Sequence, residues 1–127
     1  FTAAQMRALR GRDGNVCAWT GQESDRLVPQ HRSNRGMGGS RAKNRLSNAV
    51  LLDSLINGSI ESDPAMQAEA KRRGIKVSGF ADPSQIPILH AVHGWCRLDD
   101  DGLAWVMSPV EAGRRMRALG VTTEGND

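Results

Sequence analysis

His31 is the residue of this sequence best suited to take a proton near neutral pH, because an imidazole titrates in that range. It follows Gln30 at the end of the run "VPQHR" and precedes the loop "SNRGMGGSRAKNR", rich in glycine and arginine. Asn48 and Asn57 flank the apolar run "AVLLD" and the residues just after it, and Glu61 follows Asn57. Phosphodiester hydrolysis needs a base to activate water and a cation to stabilise the leaving oxygen. A neutral imidazole suits the first task. Amide oxygens can serve a hard cation such as Mg²⁺ in the second. Adjacent strand residues point to opposite faces, so Gln30 and His31 can do different jobs, one toward a metal and one toward substrate.

The chain carries a net charge of +3 and a pI near 9.4, which is mild. The distribution says more. Arg32, Arg35, Arg41, Lys43 and Arg45 crowd into 14 residues with no acid among them. Such a cluster suits a polyanion, since each phosphate neutralised releases condensed counterions. These five residues are candidate contacts to a nucleic-acid backbone, the plainer alternative being a solvated loop.

For Gln30, His31, Asn48 and Asn57 to meet, the chain must fold back twice. The sequence supplies the elements. "DRLVPQHR" is strand-like, with Pro29 confining it to an edge, and "NAVLLD" is a second strand. "SLINGSIES" is a helix weakened by Gly58, with Ser54 as its expected cap. Asp63 and Pro64 start "AMQAEAKRR", closed by Gly74. Either one helix bends near Pro64 or two short ones abut there. Upstream, Thr2 caps a helix over 2–10 ended by Gly11, and "VCAWTG" is expected to be a short strand turning at Gly21. Downstream, "IKVSGF" is expected to be a strand and "GWCRLDDDGLAWVM" a hairpin turning at Asp101–Gly102. Ser108, Pro109 and Glu111 open a last helix that ends at Gly120. "VTTEGND" is a polar tail.

At 127 residues this is one domain with a core of useful size. The expected division is a core over about 16–74, an extension over 75–120 and a frayed tail over 121–127. Cys17 and Cys96 lie far apart and neither belongs to a Cys-x-x-Cys pair, so structural zinc is not expected. Two distant cysteines fit a reducing compartment. The sequence has no signal peptide and no apolar run of about 18 residues, so no membrane association is expected and a cytoplasmic location is. The first residue is Phe1, and the natural start is expected to be missing.

"QHRSNRGMGGS", "SNAVLLD" and "NGSIES" together resemble the HNH endonucleases of actinobacterial phages. The resemblance runs from about Cys17 to Gly102 and includes "DPSQIP" and "GWCRLDDDG". It implies an α+β fold built on a ββα-metal hairpin-helix core, with an N-terminal helix and a C-terminal hairpin plus helix. It implies host cytoplasm as the location. His31 matches the general base, and Asn48 matches the Asn that braces the hairpin loop and the base histidine. Gln30 and Asn57 occupy the metal-ligand positions, and Glu61 matches the helix glutamate that braces the site or meets the metal. The cofactor implied is one Mg²⁺ or Mn²⁺.

Two departures stand out. The family's usual histidines, or aspartate in relatives, are neutral amides at positions 30 and 57, and these hold divalent cations less well. The zinc-knuckle thiolates are also missing: Thr20 and Ile56 stand where relatives have cysteine. Val16, Trp19, Leu52, Leu55 and Ile56 are the expected apolar replacements. The leading expectation is a metal-dependent DNA endonuclease that nicks one strand. The alternative is a degenerate HNH module that binds DNA or a phage or host protein without cutting. A third, by analogy, is a role beside the phage packaging machinery.

Other polar groups have plainer readings. His90 and His93 are structural or surface groups, and Asp99, Asp100 and Asp101 form a solvated turn without calcium-loop spacing. The glycine loop lacks the Lys-Ser/Thr of a P-loop. Trp19, Trp95 and Trp105 are expected in the core. Arg114, Arg115 and Arg117 are a solvated helix face, or a second phosphate contact or partner surface.

Overall fold

The computed structural model describes residues 1–34, 43–77 and 81–120. They form a mixed α+β domain with four α-helices and two small antiparallel sheets. No described helix is long and apolar enough to cross a membrane.

The N-terminal helix α1 spans Ala3–Asp13 and starts in a reciprocal capping box between Thr2 and Gln5. It runs through Gly11 and stops at Gly14, which adopts φ 74°. A mid-helix glycine costs about 1 kcal/mol. The last turn outweighs that cost, because Arg12 and Asp13 are buried there and bonded to other elements. The expected strand at "VCAWTG" is a turn over 18–20, closed by Gly21 N–H on the Cys17 carbonyl at 2.7 Å.

Strand β1, Leu27–His31, pairs antiparallel with β2, Ala49–Asp53, so that His31 faces Ala49 and Gln30 faces Val50. Pro29 is accommodated because this sheet has only two strands. All five residues of β2 are buried. Val50 and Leu52 join one cluster with Cys17, Ile60, Ile88 and Leu98, whereas Ala49 and Leu51 join another with Leu9 of α1. The alternation of a strand thus feeds two cores, which explains why "AVLLD" is apolar throughout.

Helix α2, Ser54–Ser62, follows β2 without a break. Its cap is Asp53 and not Ser54, because the Asp53 carboxylate accepts from Leu55 N–H at 2.8 Å. Asp63 ends α2 and caps α3, Pro64–Arg72, so two short helices abut at Pro64. Beyond Gly74 the expected strand does not form over 75–77. Lys76 N–H bonds the Ala70 carbonyl at the helix end, and Val77 N–H bonds the Arg32 carbonyl. The rest of that segment, 78–80, lies outside the described residues, as does the tail 121–127.

The second sheet has the order β3–β4–β5, with β3 Ile88–His90, β4 Gly94–Leu98 and β5 Ala104–Val106. The expected hairpin is its β4–β5 half. Helix α4, Pro109–Ala118, is capped by Ser108 as expected, but Glu111 bonds Arg114 and Arg115.

Two expectations about apolar residues are corrected. Leu55 is 64% exposed and fills no zinc-knuckle void, because it lies on the outer face of the first turn of α2. Trp105 is 51% exposed, since Asp99 holds its indole N–H at 2.8 Å on the surface. Trp19, Leu52 and Ile56 do pack in the first cluster. Trp95 and Val16 are half-buried outside it.

Candidate functional site

His31 and Asn48 lie at the loop end of the β1–β2 hairpin, whereas α2 starts at its other end and packs back on β1. His31, half-buried, closes β1, where its Nε2 lies 2.8 Å from Asn44 Oδ1. An amide oxygen only accepts, so in a neutral imidazole this contact selects the tautomer with its proton on Nε2. The Phe1 ring sits 5.3 Å from the imidazole, centroid to centroid, and gives it an apolar wall. In that tautomer one nitrogen is the donor and the other is left as the basic atom.

Asn48 is buried in the 3₁₀ turn Leu46–Asn48 and spends every polar group on backbone. Its Oδ1 accepts from Ser33 N–H at 2.8 Å, and its Nδ2 donates to the Ser33 and Lys43 carbonyls at 2.9 and 3.0 Å. Those bonds clamp the two ends of the segment that joins β1 to β2. Asn48 therefore positions the loop and does not contact His31 through any of these bonds.

Asn57 is buried in the first turn of α2, and α2 packs on β1. Its Nδ2 donates to Glu61 Oε1 at 3.2 Å, whereas its buried Oδ1 has no hydrogen-bond partner among the described residues. An unpartnered amide oxygen in a buried position is costly unless something else binds it. Glu61, one turn on, is exposed. Gln30 is half-buried on β1. Among the described residues, no three His, Cys, Asp or Glu side chains gather as a metal cage. The donor set is one carboxylate with amide oxygens, and the orphaned Asn57 oxygen is the feature that fits a hard cation.

The expected phosphate contacts divide. Arg32 is a correction: it is 1% exposed and cannot reach a phosphate. Its guanidinium donates to the carbonyls of Gly74, Ser47, Pro83 and Ile86, all at 2.8–2.9 Å. Five planar donors suit such a multi-carbonyl cage. Arg45 is also committed within the fold, bridging Asp82 at 3.2 Å and Asp100 at 2.8 Å. Lys43 is half-buried. Arg35 and Arg41 lie outside the described residues.

Sequence patterns missed two members of the site. Asn44 sits in the basic loop and only the fold aims it at His31. Lys76 lies far along the chain, yet its Nζ donates to the His31 carbonyl at 3.1 Å. Burial pulls the Lys76 pKa below its ordinary value, while the nearby Glu61 charge opposes that fall. No local signal marked either residue.

His90 and His93 belong to a different polar cluster. His90 Nε2 lies 3.0 Å from Asp13 Oδ1, both groups fully buried, and His93 Nε2 lies 2.6 Å from the Arg12 carbonyl. Asp99 and Asp100 do more than face solvent, since Asp100 accepts from Ser47 N–H and Oγ–H. Cys17 is free, and its Sγ accepts from Asp53 N–H at 3.4 Å.

Compared with known proteins, the chain matches no family model, no curated protein and no solved structure.

Proposed function

We propose that this chain is a metal-dependent DNA endonuclease of HNH type, built on a ββα-metal core, with His31 as general base. The observation that carries the reading is the continuous β1–β2–α2 unit, with His31 held through Nε2 at its end and a buried, unpartnered Asn57 oxygen in its helix. His31 Nδ1 takes a proton from water, and the resulting hydroxide attacks the phosphorus, so that the 3′ oxygen leaves. Asn44 fixes the tautomer that leaves Nδ1 basic. Asn48 keeps the loop between the strands in register with the base. Gln30, Asn57 and Glu61 would hold one Mg²⁺ or Mn²⁺, which supplies positive charge to the leaving oxygen when bound. A single site of this kind nicks one strand.

A second reading has its own support. Gln30 and Asn57 are neutral, and Glu61 is the lone carboxylate of the set. On that reading the chain is a degenerate HNH module that binds DNA, or a phage or host protein, without cleavage. Incubation with supercoiled plasmid and Mg²⁺, Mn²⁺ or EDTA separates the two. The expected outcome is metal-dependent nicking that His31→Ala reduces at least 100-fold, with unchanged DNA retention on a gel. Full nicking by His31→Ala would remove His31 as the base. Salt-dependent retention without nicking would establish the binding module.

A further inference from the structure

Lys76 is the charged residue at this site that the family resemblance does not account for. It follows Gly74 and Ile75 after α3, yet its ammonium is tied to the last residue of β1 through the His31 carbonyl at 3.1 Å. Glu61 in the last turn of α2 interacts with it electrostatically. Three elements thus converge on one half-buried ammonium: the strand end that bears the base, the helix that bears Asn57, and the segment that bears Lys76.

An ammonium has three donors. The bond to His31 uses one, and Nζ has no other hydrogen bond among the described residues. Its one hydrogen bond, to the His31 carbonyl, and the Glu61 charge do not make up for its desolvation, since the balance still lowers its pKa. A ligand oxygen at the open donors would offset it. The charge balance points the same way. Arg32 is enclosed by four carbonyls and Arg45 is paired with two carboxylates, so neither offers charge here. Gln30 and Asn57 are neutral. Among the described residues, Lys76 is a cation tethered to His31 through one hydrogen bond.

We propose that Lys76 is a substrate-binding residue of this site, its ammonium holding a nonbridging oxygen of the DNA phosphodiester beside His31. The proposal deepens the nuclease reading and rests on it for the identity of the ligand. It gives the site an ammonium beside His31, where Gln30 and Asn57 are neutral amides and Glu61 is the single carboxylate. Lysine serves such a role as a point charge on a flexible stem.

The test uses Lys76→Met, Lys76→Gln and Lys76→Arg, with thermal unfolding to check each fold. Two neutral variants are made so that one poorly folded protein does not decide the matter. Anisotropy of a short fluorescent DNA duplex is followed in EDTA across a salt series, and plasmid nicking is followed with Mn²⁺. In the neutral variants, affinity is expected to fall about tenfold at low salt, and the slope of log affinity against log salt to flatten by about 0.9, the value of one phosphate contact. Nicking kcat/KM falls at least tenfold with them, and Lys76→Arg recovers both. Neutral variants with the wild-type slope would overturn the proposal and leave the nuclease reading intact. Equal losses in Lys76→Arg and the neutral variants would also overturn it, because restored charge then restores nothing. A flattened slope in a wild-type background that never nicks would keep Lys76 as a phosphate contact and remove the nuclease reading. A chain that binds no DNA at any salt would remove both.

Discussion

Arg32 shows how far one side chain can be from the role its neighbours suggest. It sits in a run of cations beside His31, but its guanidinium is the hub of a buried carbonyl cage that joins the 3₁₀ turn before β2, the end of α3 and the segment before β3. Burial pushes its pKa down to about 9, with Arg12 adding to the fall. Removing the guanidinium would leave four buried carbonyls without their donor. Arg32→Met is therefore expected to lower the unfolding free energy by about 3 kcal/mol or more, measured by urea titration. The salt slope of DNA binding should stay at the wild-type value in whatever fraction remains folded. A flattened slope with unchanged stability would return Arg32 to the DNA-contacting set.

At the scale of the element, Asp53 is the joint between β2 and α2, and it fixes where the helix bearing Asn57 begins. Its carboxylate caps Leu55 N–H and accepts from Ser24 and Arg26. The bonds from Ser24, Arg26 and the Leu55 amide lower its pKa from the ordinary 3.8 to about 2. A carboxylate with a depressed folded pKa binds its proton more readily when unfolded, so its contribution to stability is present in full above pH 3.8 and is lost as pH falls through about 2. Asp53→Asn is expected to lower the melting temperature at pH 7 and to flatten its decline between those two pH values. Parallel acid limbs for the two proteins would show that Asp53 does not carry this dependence.

Across the whole molecule, a second buried network ties the N-terminal helix to both sheets. Asp13 Oδ1 accepts from Arg12 Nε at 2.7 Å and lies 3.0 Å from His90 Nε2 on β3, while Oδ2 accepts from Leu51 N–H on β2 at 2.9 Å. Arg12 in turn donates to the carbonyls of Leu46 and Ala49. Burial opposes ionisation of Asp13, but His90 and Arg12 outweigh it and hold its pKa below the usual carboxylate value. Asp13→Ala strands a buried arginine, an imidazole and a strand amide at once. It is expected to cost about 3–5 kcal/mol in chemical denaturation, with a loss of cooperativity between α1 and the sheets. A change under 1 kcal/mol would mean that the domain is assembled by its apolar clusters alone.

What the sequence determined by itself was local. Thr2, Asp63–Pro64 and Ser108–Pro109 announced helix starts, because a cap needs only residues within one turn. The apolar run "AVLLD" and the polar alternatives around it marked the hairpin and its following helix. Where a tertiary partner outbid the local signal, the expectation failed. Gly11 did not end α1, since Arg12 and Asp13 have buried partners more than thirty residues away. "IKVSGF" showed strand-like residues, but over 75–77 its amides bond a helix end and Arg32. The site divides in the same way. The placement of Gln30 and His31 at the end of one strand, Asn48 just before the next and Asn57 in the helix after it was legible from residue types and spacing. Asn44 and Lys76 were not, and neither was the difference between Arg32 in its cage and an arginine on the surface. Spacing along the chain sets which residues share an element. Only the packed structure decides which distant carbonyl or carboxylate meets a charged group, and that meeting decides whether the charge is free for a ligand.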